Sequence, residues 1–408
     1  MTRVMPLSRL ALLAGAAGLV CACSESSAPS EHKAQSQAAV AAVPKKIIPP
    51  SLLAAPASAA PPASSDPIGA VLEQAAGPAL PPALARTALT IEQTNPVAAP
   101  TAGNTTAGKP LALNPSLVKV EVLLDRAGFS PGVIDGRDGE NLQHALAAYA
   151  QAHNVAWSGA LDQPLWANLS AQDRSPTMQA YQITAQDAAG PFIGEPPKDY
   201  RQLARLASLS YSGPEQLLAE RFHMDRALVK ALNPGADLGK AGEIILVTAP
   251  RPASRAYQAS RIEIDKSNEV VRVYAQDGRL AAFYPASVGS VERPAPSGSY
   301  QVEAVAPRPA YYYDPARLTF APKGAEGKLK IAPGPNNPVG STWIALSVAT
   351  YGIHGSPDPT LIGKRQSHGC VRLTNWDAAE LGKAVKKGVQ VDFVGEEQAR
   401  TAKPGGRA

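Results

Sequence analysis

The long stretch between residues 24 and 114 limits where this chain can fold. It is dominated by alanine, proline and serine and shows little aliphatic periodicity. Such a composition cannot bury enough apolar surface to offset the entropy of ordering the chain. We therefore predict a disordered linker over residues 24–114, with a coil dimension on the order of 50 Å. Short helices around residues 67–89 are the alternative for part of it. The folded domains are expected in the residues that follow.

Residues 1–23 have the pattern of an export signal. Arg3 and Arg9 precede the apolar run 10–20, which is too short to span a bilayer. Residues 20–23 read Val-Cys-Ala-Cys, which resembles the lipobox of bacterial lipoproteins and implies lipid attachment at Cys23. The protein is then expected to be exported, periplasmic and membrane-anchored, at the outer membrane if the organism has one. Cleavage without lipidation, leaving a soluble periplasmic protein, is the alternative.

The cysteine count bears on this expectation. The chain has 3 cysteines. Signal cleavage would remove Cys21 and lipid would occupy Cys23, so Cys370 would remain as a free thiol and the mature protein would have no structural disulfide. The formal net charge of +5 is mild, and no basic block with interleaved aromatic residues is present. Nucleic-acid binding is therefore not expected.

Residues 115–172 predict a small helical module. Apolar residues recur at helical spacing after residue 117, and two further helical patterns follow near residues 142–150 and 165–169. The motifs Gly128-Phe129, 134–136 and 159–162 fall between these helices. In that order they resemble the three-helix peptidoglycan-binding module, which implies peptidoglycan as a partner.

Residues 181–249 predict a second module of mixed helix and strand. Two amphipathic segments, 217–224 and 227–235, precede an apolar strand at 244–247. This order resembles the later part of a LysM glycan-binding repeat, with an opening strand at 181–184. The connection 187–212 is far longer than such a repeat usually has, so an unspecialised spacer domain is the alternative.

Residues 257–395 predict a β-rich domain. Polar and apolar residues alternate at 261–265, the turn Asp277-Gly278 follows a second strand, and a helix with a capping-box start at Thr374 precedes a last strand at 389–393. The aromatic and Pro/Gly-rich run 311–337 is expected to be an irregular loop, either a substrate lid or a packed surface loop. The tail 396–408 is expected to be disordered.

Two histidines and a cysteine in this domain suggest nucleophilic chemistry. Cys370 ends the sequence Ser-His-Gly-Cys at residues 367–370, and His354 lies sixteen residues upstream. An imidazole can take the proton of a thiol and stabilise the thiolate, and Gly369 allows backbone amides to approach a reacting carbonyl. Spacing alone leaves open whether His354 or His368 is the base. Cys370 as a buried small hydrophobic residue is the structural alternative.

The two motifs together resemble the signature of L,D-transpeptidases with a YkuD-type catalytic domain. The resemblance implies a mixed β-sandwich with one helix, neither metal nor cofactor, and the following site residues. Cys370 is the nucleophile, His354 the base and the Gly355 carbonyl its orienting partner. Ser367, His368 and Gly369 form the loop that holds the oxyanion. Arg372 either binds a substrate carboxylate or makes a structural ion pair.

The function implied is peptide cross-linking of peptidoglycan through a cysteine acyl-enzyme, with release of D-Ala from a donor tetrapeptide stem. Two alternatives use the same thioester: a carboxypeptidase that transfers it to water, and an enzyme that attaches an envelope protein to the wall. A third alternative is an inactive wall-binding lipoprotein. A monomer acting on stem peptides and glycan is expected.

Overall fold

A computed structural model describes residues 77–97, 114–252, 257–291, 293–315, 327–364, 367 and 369–397. The predicted signal segment 1–23, with its lipidation residue Cys23, lies outside these residues. Among them, no helix combines the length and the apolar character needed to cross a bilayer.

The predicted linker contains an ordered helix, so its prediction as a disordered segment is wrong for residues 77–97. Helix α1 (Pro82–Gln93) begins with proline in its first turn and buries Ile91 at 1% exposure. Glu92 accepts hydrogen bonds from the backbone N–H groups of Thr177 and Met178, at 2.5 and 3.0 Å. The alternative of short helices around residues 67–89 overlaps the first part of α1, but the Ala/Pro-rich composition on both sides of the helix favoured the prediction of disorder.

Three helices follow, and their buried side chains pack together with Val270 and Phe283 of the later sheet. The helices are α2 (Pro115–Ala127), α3 (Glu140–Ala152) and α4 (Gln163–Gln172). Asn114 caps α2 and Asp162 caps α4, while Gly128 ends α2 in the left-handed conformation that glycine favours. The helices share a buried cluster that includes Leu124, Leu146 and Leu165. The relation of this segment to a peptidoglycan-binding module stays a prediction.

A two-stranded antiparallel sheet with short helices comes next. The strands are β1 (Met178–Gln182) and β2 (Ile244–Thr248), and the helices between them are α5 (Ala185–Ala189), α6 (Tyr200–Leu203), α7 (Pro214–Arg221) and α8 (Arg226–Leu232). The long connection that the sequence showed at 187–212 carries α6. The identity of this segment as a LysM-like module remains a prediction.

Nine of the following strands form one sheet. In chain order they are β3 (Ala259–Asp265), β4 (Val270–Ala275), β5 (Leu280–Pro285), β6 (Ser287–Val288), β7 (Gly298–Pro307), β10 (Thr342–Leu346), β11 (Gly352–His354), β12 (Val371–Arg372) and β13 (Gln390–Val394). Their order across the sheet is β5-β4-β3-β13-β7-β10-β11-β12-β6.

The connection between β5 and β6 nearly closes this sheet. These two strands are its opposite edges, yet Ala286 alone separates them in the chain. The edges must therefore lie beside each other, and the sheet folds over a single core. That core contains Ile262 and Val271 from one half of the sheet together with Ile353 and Val371 from the other.

One helix and one hairpin complete the domain. Helix α9 (Asn375–Ala384) is capped by the Thr374 side chain, which accepts a hydrogen bond from the backbone of Asp377 at 3.1 Å. The strands β8 (Tyr311–Tyr313) and β9 (Leu329–Ile331) pair with each other, which corrects the expectation of an irregular loop there. On β8, Tyr312 is exposed and Tyr313 is buried, because successive side chains of a strand face opposite sides.

The beginning of the predicted disordered tail is ordered. The Glu397 side chain accepts a hydrogen bond from the backbone of Ala295 at 2.7 Å and pairs with Lys266 at 3.4 Å. Residues 398–408 lie outside the described part of the chain. The fold class is confirmed in outline: a β-rich domain with one helix beside its nearly closed sheet, preceded by a helical region.

Arg251 joins three parts of the chain in a buried ionic cluster. Its guanidinium contacts Asp125 of α2 and both Asp377 and Glu380 of α9. Asp125 also lies 3.2 Å from His223, which follows α7. Burial favours the neutral form of Asp125, but Arg251 and His223 outweigh it and hold the pKa of this carboxyl below its usual range. The cluster thus links helices that belong to separate sequence segments.

Candidate active site

Two neighbouring parallel strands place the predicted catalytic residues. Residue 353 of β11 is level with residue 371 of β12, and His354 is level with Arg372. Partners in register share a face of the sheet, as do alternate residues along one strand. Cys370, immediately before β12, therefore faces the same side as His354 and Arg372. Neighbouring strands are about 4.8 Å apart, so side chains on this face are within reach of one another.

The imidazole of His354 is held in one orientation. Its Nδ1 lies 2.7 Å from the carbonyl oxygen of Gly355, and a carbonyl can only accept, so Nδ1 carries the proton and Nε2 keeps its lone pair. The Trp343 ring stacks on the imidazole, with 5.5 Å between ring centroids. Burial, together with the charge of Arg372, lowers the pKa of His354 to about 3. The side chain is thus a neutral, fixed proton acceptor.

The sulfur of Cys370 is half-buried near the β10–β11 turn. Its Sγ lies 3.9 Å from the carbonyl oxygen of Thr350. Burial raises the pKa of the Cys370 thiol, while a hydrogen bond from Gly352 and the charge of Arg372 oppose that rise. Thr350 adopts a φ of 69°, a conformation that β-branched residues rarely take. The resting pair is therefore a neutral thiol and a neutral imidazole.

Backbone and side-chain bonds shape the loop before the sulfur. The Ser367 hydroxyl donates to the carbonyl of Cys370 at 2.5 Å and accepts from the Gly369 N–H at 3.1 Å. Gly369 has a φ of 121°, and a Cβ there would lie 3.2 Å from the Tyr351 ring. Ser367 and Gly369 thus shape the turn before Cys370, and an oxyanion would compete with Ser367 for the Gly369 amide. Their role in holding an oxyanion stays a prediction. His368 lies outside the described residues.

The surroundings of Arg372 act on its charge in opposite directions. Burial lowers the pKa of its guanidinium, whereas Cys370, Tyr200 and Tyr311 act in the opposite direction. Tyr200 belongs to α6, in the segment before the catalytic region, and its ring meets Tyr313 edge to face at a centroid distance of 4.9 Å. The structure therefore gives Arg372 neighbours from both parts of the chain.

Asn375 connects the base to the segment before the catalytic region. Its Oδ1 accepts from the backbone of Ser341 at 2.9 Å, and a Cβ on Gly355 would lie 2.3 Å from that same oxygen. Its Nδ2 donates to Glu220 of α7 at 3.0 Å. Asn375 is buried, so it is a packing and hydrogen-bonding support for the loop that orients His354.

Glu220 makes the stability of this contact depend on pH. Burial raises the pKa of its carboxyl to about 7, although hydrogen bonds from Asn375 and Tyr211 oppose the shift. The folded state then binds more protons than the unfolded state between the usual carboxyl pKa and about 7. The free energy of unfolding must therefore fall as pH rises through that interval and stay lower above it.

We expect Glu220→Gln to stabilise the protein at pH 8 by about 2 to 3 kcal/mol and to have little effect at pH 4.5. The substitution keeps a carbonyl acceptor but removes a carboxylate that is costly to bury. Urea denaturation at both pH values measures the difference.

Glu215→Gln on the same helix is the control. Glu215 pairs with Arg226 and Lys230, which lower the pKa of its carboxyl despite partial burial. Its replacement should therefore not stabilise the protein at pH 8. Equal effects of the two substitutions would contradict the assignment.

The sequence did not reveal several residues around the site. Trp343 lies on β10, Tyr351 precedes β11 and Asn375 begins α9, and local periodicity does not encode how these elements meet. Tyr200 and Glu220 come from the preceding segment, and the one available signal was the unusual length of the 187–212 connection. The predicted site residues Cys370, His354, Gly355, Ser367, Gly369 and Arg372 all lie on β11, β12 or the turns beside them.

Known proteins with similar sequences carry the same catalytic region. The family model for the L,D-transpeptidase catalytic domain, YkuD, matches residues 259–392. A Bacillus licheniformis protein named "Putative L,D-transpeptidase YkuD" is 31% identical over 179 residues, which are 43% of this chain and 90% of that protein. Its Bacillus subtilis namesake is 26% identical over 176 residues, covering 43% and 89%. "Probable L,D-transpeptidase YbiS" of Escherichia coli is 27% identical over 199 residues, covering 47% and 64%.

The similarity to the Bacillus licheniformis protein extends over 90% of that protein. The residues matched by the family model contain the sheet strands that carry the fixed imidazole and the half-buried thiol described above. The catalytic region is thus shared as a unit with proteins that are named as L,D-transpeptidases. This chain belongs to the L,D-transpeptidase family.

Proposed function

We propose that the protein cross-links peptidoglycan by a thioester on Cys370. The observation that carries this proposal is the pairing of β11 with β12, which puts a thiol and an imidazole of fixed tautomer on one face of the sheet. The donor is a tetrapeptide stem, and the bond cleaved is the amide between the third residue, a diamino acid, and D-Ala.

Proton transfer accompanies the attack. His354 Nε2 takes the thiol proton as Cys370 Sγ bonds to the scissile carbonyl carbon, and the same proton is returned to the amine of D-Ala as the amide bond breaks. Burial disfavours a lasting imidazolium at His354, so this charge exists only while the tetrahedral intermediate does. The second stem's amine then attacks the thioester, loses a proton to His354, and leaves Cys370 as the thiol.

Incubation of the purified full chain with a disaccharide tetrapeptide, followed by mass spectrometry, tests the proposal. A cross-linked dimer lacking one D-Ala is the expected product. Tripeptide as the sole product would indicate transfer to water, and a stable Cys370 acyl-enzyme without product would indicate a different acceptor, such as a protein lysine. Absence of both product and acyl-enzyme would overturn the enzyme assignment for this substrate.

The proposal includes export and a lipid anchor at Cys23, supported by the Val-Cys-Ala-Cys sequence at residues 20–23. An anchored enzyme would reach the wall through the chain that follows the signal. Fractionation of cells that express Cys23→Ser checks the anchor: the variant should move from the membrane fraction to the soluble envelope fraction. An unchanged distribution would refute lipidation at this residue.

A further inference from the structure

The connection at 187–212 is built into the catalytic region. The backbone N–H of Leu209 donates to Pro333 and its carbonyl accepts from Asn336, both at 2.9 Å. The Asn336 side chain also donates to the carbonyl of Ser210 at 2.6 Å. Gly334 leaves room for this approach, because a Cβ there would lie 2.1 Å from the Leu209 oxygen. A fixed contact of this kind positions whatever the connection carries.

The connection carries Tyr200 to the β8–β9 hairpin. Its ring meets Tyr311 at a centroid distance of 6.0 Å and Tyr313 at 4.9 Å, both edge to face. Leu203 and Leu209 bury a small apolar cluster with Ile331 of β9 beneath these rings. Such aromatic pairs stabilise the contact beyond what area burial alone provides. Tyr200 is therefore held in place by its neighbours.

Tyr200 and Tyr311 are only partly buried, as are Arg372 and Cys370, so solvent reaches each of these residues. The two phenols lie within electrostatic range of Arg372, and Tyr311 lies within that range of Cys370. Burial raises the pKa of both phenols, which keeps their O–H groups protonated at neutral pH. A guanidinium and two phenols supply hydrogen-bond donors around a positive charge, which suits a carboxylate.

We propose that Tyr200 is a specificity-determining residue of the donor site and that it forms, with Tyr311 and Arg372, a recess for the carboxylate of the leaving amino acid. This inference rests on the proposed function, in which a terminal D-Ala departs. In such a substrate, about 4 Å of covalent chain separates the attacked carbon from that carboxylate. A charge-assisted hydrogen bond adds about 2.8 Å to this length, and the sum matches the spacing of about 6 to 7 Å between the nucleophile and Arg372, two residues beyond it on the same face.

Binding to the Cys370→Ala full chain tests the recess without requiring turnover. Calorimetry compares two tetrapeptides that differ only in a C-terminal carboxylate or carboxamide. The parent should favour the carboxylate by about 10- to 100-fold, the range expected for hydrogen bonds to a charged group. Adding Tyr200→Phe, which keeps the ring but removes the donor, should reduce this preference severalfold, and Tyr200→Ala should reduce it further.

Tyr312→Ala is the matched control, since Tyr312 lies between Tyr311 and Tyr313 on β8 but is 39% exposed. It should leave the carboxylate preference unchanged. In proteins that retain Cys370, the rate at which iodoacetamide alkylates this cysteine should be the same for Tyr200→Phe and wild type. A Tyr200→Phe preference within twofold of the parent, or an equal loss of affinity for both peptides, would overturn the inference. Absence of wild-type turnover with the preference intact would instead refute the proposed reaction alone.

Discussion

Cys370→Ala should reduce turnover of a tetrapeptide donor by a thousandfold or more, at about the limit of detection. Alanine has no atom that can form the thioester, and no other thiol lies among the described residues. Stability should change little, because the side chain is half-buried and its Sγ contacts Thr350 only at 3.9 Å. Mass spectrometry of products and a thermal unfolding curve measure the two quantities.

Cys23→Ser is a suitable control, since it replaces a cysteine far from this site in the sequence. Its turnover should match that of wild type with a soluble donor. Retained turnover in Cys370→Ala would mean that the nucleophile is another residue. A large loss of stability in Cys370→Ala would mean that the residue is part of the core. This is the alternative that the sequence left open, in which Cys370 is a buried small hydrophobic residue.

Arg251→Met should lower the free energy of unfolding by about 3 to 5 kcal/mol, the range measured when one partner of a buried ion pair is removed. Three buried carboxylates, Asp125, Asp377 and Glu380, would lose their shared guanidinium. Burial already raises the pKa of Asp377 in the native protein, although Arg251 opposes that rise. Loss of the guanidinium leaves such carboxylates charged and uncompensated at neutral pH.

The pH dependence distinguishes this loss from a simple packing defect. In Arg251→Met, the carboxyl groups that have lost their guanidinium partner should have raised pKa values. Protonation removes their charge and with it the free-energy cost of burying that charge. The difference from wild type should therefore be largest at neutral pH and shrink as pH falls. Urea denaturation at pH 7 and pH 5 measures it. A loss independent of pH would contradict the electrostatic account.

Arg279→Met is the matched control, because its guanidinium pairs with Asp277 at 3.4 Å on the surface and both side chains are largely exposed. Exposed pairs contribute about 0 to 1 kcal/mol. The two arginines thus offer the same substitution with and without burial. Similar losses for both would show that the three-part cluster does not join the segments.

Local sequence patterns predicted the catalytic region well. Alternation at 261–265 became β3, the Asp277-Gly278 pair became the β4–β5 turn, and Thr374 became a helix cap. These features depend on neighbours within a few residues, which periodicity and capping rules describe. The composition of residues 24–114 was a weaker guide, because a short helix such as α1 is stabilised by tertiary contacts rather than by its own sequence.

The sequence by itself determined which residues could do the chemistry: a thiol, an imidazole and the glycine that allows the turn beside them. Tertiary structure decided how they meet, because parallel pairing of β11 with β12 joins residues sixteen apart through a crossover that no local pattern specifies. It also decided that Tyr200 borders the site and that Arg251 joins separate segments. Such contacts depend on burial and charge between distant parts of the chain, and they form only when folding brings those parts together.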